Sequence, residues 1–174
     1  MKSKTIRRIA LVLGIALLAF VGMRLNAAAS ASNVSLNIGN VGPRDLSSEE
    51  QTQKAIVRDY GKAWKSMNDA MADNNGAALG DVWVGIAKDK LLAQINDQKK
   101  SGLTTKYIDQ GHKLDALFYS AEGSALQLRD TAQVETQILD GGKVVGSDTA
   151  TVHYMVVMTP TADHWQVRIF QAVQ

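Results

Sequence analysis

Between Thr131 and Met158 the chain reads TAQVETQILDGGKVVGSDTATVHYMVVM, two alternating apolar–polar runs around Asp140-Gly141-Gly142. Nothing else in the sequence restricts the fold as much. Successive side chains of a strand point to opposite faces, so period two sustained over this length predicts two long antiparallel strands. Glycine supplies the positive φ that a tight hairpin turn demands. In the first run Ala132, Val134, Thr136 and Ile138 share one face, and Thr131, Gln133, Glu135 and Gln137 the other. In the second, Ala150, Val152, Tyr154, Val156 and Met158 oppose His153, Met155 and Val157. The stretch KLDALFYSA precedes the hairpin and turns into it at Glu122-Gly123. After the turn TPTAD, HWQVRIFQAV ends the chain as a strand with Trp165, Val167 and Ile169 alternating. Leu126 to Leu139 is so long a strand that a bulge or bend is expected near Arg129-Asp130.

Upstream the period changes from two to about 3.6. Ile56, Tyr60, Ala63, Trp64, Met67 and Met71 recur at steps of three and four, which predicts one helix from about Glu49 to Asp73. Ser47 or Ser48 would cap its start and Asn74-Asn75-Gly76 would end it. A second helical stretch is expected over Ala77 to Ile86, with Leu79, Val82, Trp83 and Ile86 on one side. A third, about Lys88 to Lys100, carries Leu91, Leu92 and Ile95 and stops at Gly102. Helices first and strands after define an α+β domain over residues 49–174, with three N-terminal helices packed on a curved, mostly antiparallel sheet of about four strands. Residues 32–48 contain Gly39, Gly42 and Pro43 and are expected to form a flexible linker. VSLNI within them offers a short edge strand as the alternative.

The first 31 residues hold Lys2, Lys4, Arg7, Arg8 and Arg24 and no acidic residue. The apolar run Ile9–Met23 lies among them, followed by A-x-A options at Ala27-Ala28-Ala29 and Ala29-Ser30-Ala31. Charged start, apolar middle and small-residue end make the layout of a secretory signal. The alternative is an uncleaved anchor of the cytoplasmic membrane through residues 9–23. Either reading sends the body out of the cytoplasm, periplasmic or secreted if cleaved, and leaves membrane contact to this segment alone. Without these five cations the remaining residues carry 14 basic and 17 acidic groups, a formal charge of −3. Such a body lacks the basic footprint that nucleic-acid binding requires. There are no cysteines, which removes thiolate metal sites and cysteine nucleophiles.

The order of elements, Trp64 in the first helix, LLAQINDQKKSG, the strand KYIDQGHKLDAL, and the pair DTATVHYMVVM and HWQVRI together resemble the nuclear transport factor 2-like superfamily of cone-shaped α+β domains, over about Gln51 to Val173. The likeness is to its exported or membrane-anchored, non-enzymatic branch, as in the C-terminal domain of chloroplast and cyanobacterial division proteins. It implies a cone between helices and sheet and a sheet face that commonly dimerises. It does not imply one function, because isomerases, dehydratases, cyclases and interaction domains share the scaffold.

Three functions follow from these residues. As an enzyme of isomerase or cyclase type the chain would need a general base and an oxyanion donor inside the cone. Asp115 and Tyr119, at i and i+4 on the first long strand, and His153 are weak candidates for those roles. Glu135 falls in a polar row, His112 sits beside Gly111 at a strand start and His164 in a turn, and the histidines at 112, 153 and 164 lack metal-ligand spacing. As a small-molecule binder it would line an apolar pocket with Trp64, Trp83, Tyr154 and Trp165. As an interaction module it would engage other proteins, or itself as a homodimer, through an outer sheet face that includes Met155, Val157 and Phe170. The interaction module is the preferred reading. No motif for a cofactor or a metal is present in the sequence.

Overall fold

The computed structural model describes residues 34–39 and 41–173. The expected signal or anchor at 1–31, with residues 32, 33 and 40 of the expected linker, lies outside the described residues. Five strands form one sheet in the order β1-β2-β3-β4-β5, comprising β1 (Val34–Ile38), β2 (Leu103–Tyr119), β3 (Leu126–Asp140), β4 (Lys143–Pro160) and β5 (Trp165–Val173). Strand β1 runs parallel to β2, and every other pair is antiparallel. The edge-strand alternative for VSLNI is the one that forms, and Val41 and Leu46 of the same stretch are buried in the core.

Helix α1 (Glu50–Ala72) lies across the inner face of the sheet. Its stripe is buried as the period predicts, from Ile56 through Tyr60, Ala63, Trp64 and Met67 to Met71. Glu49, rather than either serine, takes the cap position. Asp45 instead organises the approach by accepting from the Ser47 N–H at 2.8 Å. At the other end Asn74 adopts φ 51°, and its side-chain amide donates to the Leu103 carbonyl at 2.8 Å, tying the helix end to the start of β2.

The expected middle helix is reduced to a single 3-10 turn, Gly76–Leu79. Gly80 and Gly85 at φ 64° and 54° break the helical path on either side of Trp83. The backbone between them bonds to β5 instead, with Val167 N–H donating to Val82 O at 2.8 Å and Val84 N–H to Val167 O at 3.0 Å. Tertiary pairing has displaced local propensity here. The remaining helix, α2 (Gly85–Ser101), ends as expected at Gly102, which is left-handed. Among the described residues the architecture is thus two α-helices on a five-stranded mixed sheet, where three helices and about four strands were expected.

Bulges fall elsewhere than predicted. The β3 ladders are continuous through Arg129 and Asp130; β2 is irregular at Gln110 and Leu117 instead. Each extra residue exchanges the two faces of its strand from that point on. A further shift at Arg168 does the same to β5. Trp165 and Val167 are buried as predicted, but Phe170 follows them inward, where it packs against Trp64, and so departs from the outer face to which alternation had assigned it.

Candidate functional site

The centre of the cone is a polar cluster closed in by aromatic rings. On β3 the inward row is Leu126, Leu128, Asp130, Ala132 and Val134, all buried. On β2 the facing row is His112, Leu114 and Ala116, also buried. One carboxylate and one imidazole therefore occupy positions where the pattern otherwise supplies apolar side chains. Tyr60, in the buried stripe of α1, donates its hydroxyl to Asp130 Oδ2 at 2.7 Å. His112 Nδ1 meets the same oxygen at 2.8 Å. On its other side His112 Nε2 lies 3.3 Å from Asp109 Oδ1, an ionic contact rather than an aligned hydrogen bond.

These distances determine the charge state. Burial works against a charged imidazole, but Asp109 and Asp130 overcome it and hold the His112 pKa at about 9. His112 is consequently an imidazolium at neutral pH. Burial, reinforced by the Asp130 charge, moves the Tyr60 phenol well above its ordinary value. Tyr154 is raised in the same way by burial, with Tyr107 and Asp130 adding to it.

Above the cluster sits Trp64, with its ring centre 4.4 Å from that of His112. It meets Tyr107, Tyr154 and Phe170 edge-on at 6.2, 5.7 and 5.8 Å. Tyr154 and Phe170 stack at 4.3 Å, an arrangement aromatic quadrupoles favour. Phe170 then reaches Trp83 at 5.2 Å.

Of the four expected pocket residues, Trp64, Trp83 and Tyr154 join through Phe170, whereas Trp165 packs separately against Tyr119 at 6.4 Å. Trp83 is wholly buried and donates its indole N–H to Ala63 O at 2.9 Å. The Asp115–Tyr119 pair does not form. The bulge at Leu117 leaves Asp115 on the outer face, where Asn37 donates to it at 2.9 Å and Arg129 lies 3.5 Å away. Tyr119 turns inward, is buried, and donates to Glu49 Oε2 at 3.3 Å. His153 is exposed on the outer face, its Nδ1 3.1 Å from Thr131 Oγ1. Glu135 accepts from Gln137 and Ser147 in its polar row, at 2.8 and 2.9 Å. His164 belongs to the turn before β5, 2.7 Å from Asp163.

Sequence reasoning assigned no role to the Tyr60–Asp130–His112 cluster. Its signal was present, since an Asp and a His standing in apolar rows each need a buried partner. That the two rows face each other is legible only once the strand register is known.

An imidazolium already protonated cannot act as a base at neutral pH, and both of its nitrogens face carboxylates of the protein itself. With His112 only 4% exposed and Tyr60 and Asp130 fully buried, the cluster ties α1, β2 and β3 together. Among the described residues no group of three or more His, Asp or Glu side chains is placed to hold a metal ion.

No family model matches the chain, and no curated protein matches it. Solved structures do. The intermembrane space region of the chloroplast protein ARC6 superposes with a TM-score of 0.61 at 14% identity, covering 69% of this chain and 95% of that one. A protein of Catenulispora acidiphila superposes at 0.50 and 13% identity, over 71% of this chain and 94% of its own. These likenesses establish the architecture, and the chain has the nuclear transport factor 2-like fold.

Proposed function

We propose that the chain is an exported, non-catalytic interaction or assembly module that works near the cell membrane. The single observation that carries this reading is the interior of the cone, where an enzyme of this shape needs an accessible base. That position is taken by an imidazolium set between two carboxylates under Trp64. Function is thereby moved to the outside of the sheet. There Phe118, Val157 and Ile169 fall in one row across β2, β4 and β5, interrupted only by Gln127 of β3. Phe118 is 42% exposed, and Met155 adjoins the row through a contact from Gln127 Nε2 at 2.9 Å. A semi-apolar strip with a polar rim is the composition of a surface that docks another protein. Residues 9–23, by apolar length and flanking charge, supply the export signal or anchor that keeps this surface at the membrane.

A second reading has one observation in its favour. Tyr107, Tyr154 and Phe170 are only partly buried, so the aromatic wall above Trp64 reaches solvent and suits a flat apolar small molecule. Native mass spectrometry of the full chain from an exporting host separates the two. The module reading expects a protein free of small ligands, shortened by the signal or extracted whole in detergent, whose binding to other proteins is lost with Val157→Glu and Ile169→Glu while the fold is retained. A stoichiometric apolar passenger, removed by Tyr154→Ala, would replace this reading with the second.

A further inference from the structure

The sheet has two long edges and treats them differently. Beyond β1, the free edge of β2 is covered by side chains of α1 and the segment after it. Asn68 Oδ1 accepts from the Tyr107 N–H at 2.8 Å, and the Asn74 amide donates to the Leu103 carbonyl at 2.8 Å. Among the described residues the opposite edge has no such cover. Strand β5 reaches only as far as the His153–Val173 pair, so Lys143 to Val152 has β3 on one side and, among the described residues, no hydrogen-bonding partner on the other. The side chains of this stretch are exposed on nearly every position, with Val144 and Val145 at 45% and 51%. An uncovered strand edge is a template for another strand.

The edge is self-complementary. Gly141 and Gly142, at φ 55° and 83°, form a two-residue turn, so Asp140 and Lys143 bond to each other across it. Alternation then turns the N–H and C=O of Val144 outward. Along β3 the same alternation turns Gln137 away from β4, so its partner Ser147 also presents its backbone outward. The irregularity at Val145 keeps the two in step: Lys143 opposes Asp140 and Asp148 opposes Thr136, both on one face of the ribbon. Lys143 and Asp148 are the only charges between Lys143 and Val152, they have opposite sign, and neither makes an ion pair among the described residues.

We propose that β4 pairs antiparallel with β4 of a second copy, about a two-fold axis between Val145 and Gly146. This partner deepens the interaction-module reading and rests on it. In that register Val144 lies opposite the partner's Ser147, with their outward backbone groups bonded to each other. The exposed valines come together at the centre. Each Lys143 faces the partner's Asp148, once at either end. Two-fold symmetry repeats every contact, which is how an isologous interface closes.

The test is sedimentation of the full chain, in detergent if it is extracted that way, combined with amide hydrogen exchange. A dimer is expected, with exchange at the Val144 and Ser147 amides slowing as concentration rises. Lys143→Glu should weaken it by about tenfold through two repulsive contacts. Lys143→Glu combined with Asp148→Lys should restore it. A monomer up to about 0.1 mM overturns the pairing. So does a double variant as weak as the single one. A dimer protected instead at Phe118, Val157 and Ile169 also overturns it, while leaving the interaction-module reading in place. Loss of that reading shows separately, as an apolar passenger in the native mass.

Discussion

His112 and His153 stand at almost the same level of one sheet, opposite Ala132 and Thr131 of β3. One points into the cone and the other out of it. His112 is held by two carboxylates, overhung by Trp64 and kept charged. His153, exposed like its neighbours Thr151 and Gln133, has among the described residues a threonine hydroxyl as its side-chain partner. The same side chain is locked among buried partners on one face and left to solvent on the other, where desolvation no longer makes each partner matter.

Asp130→Ala breaks this contrast most severely. It removes the acceptor shared by Tyr60 and His112 and leaves a buried cation with one counter-charge. A loss of about 3–5 kcal/mol is expected from denaturant unfolding. Asp115→Ala, a carboxylate on the outer face whose side chain is 15% exposed and whose partners Lys113 and Arg129 are exposed, should cost no more than about 1 kcal/mol. Similar costs for the two would end the distinction between the faces.

Titration gives the next largest effect. The His112 pKa rises from 6.5 in the unfolded chain to about 9 in the fold. A raised value contributes stability that is complete below pH 6.5 and disappears as pH climbs through about 9. The loss across that window is on the order of 3 kcal/mol at most. Urea midpoints measured across it should fall with rising pH, and His112→Gln should flatten the fall.

Asn68→Ala examines the covered edge. The Tyr107 N–H loses its acceptor in a half-buried position, with an expected cost of about 1–2 kcal/mol and faster exchange at that amide. His153→Ala is the smallest change, within about 0.5 kcal/mol of the parent. A larger loss would mean that the outer face is already covered in solution.

Much of this was legible in the residues. The hairpin at Gly141-Gly142, the buried stripe from Ile56 to Met71 and the inward row ending at Met158 all follow from periodicity, because one face of each element must leave water. What misled were single residues that change the phase. Leu117 separated Asp115 from Tyr119, and Arg168 turned Phe170 inward; a bulge is a property of two strands together and has no signature in one. Trp83 sat in a helical pattern but was drawn into backbone pairing with β5, a contact across 84 positions of the chain.

By itself the sequence determined helices α1 and α2 and the four antiparallel strands, the inner and outer faces before each bulge, and a body without cysteine or a basic surface. Local chemistry suffices for those, since period, turn glycines and charge are all read within a few residues. Tertiary structure alone decided that His112, Asp109, Asp130 and Tyr60 meet, and that the second half of one edge of the sheet stays open. Those depend on strand register and on which stretch of β4 lies against β5, which arise from packing between segments far apart in the chain.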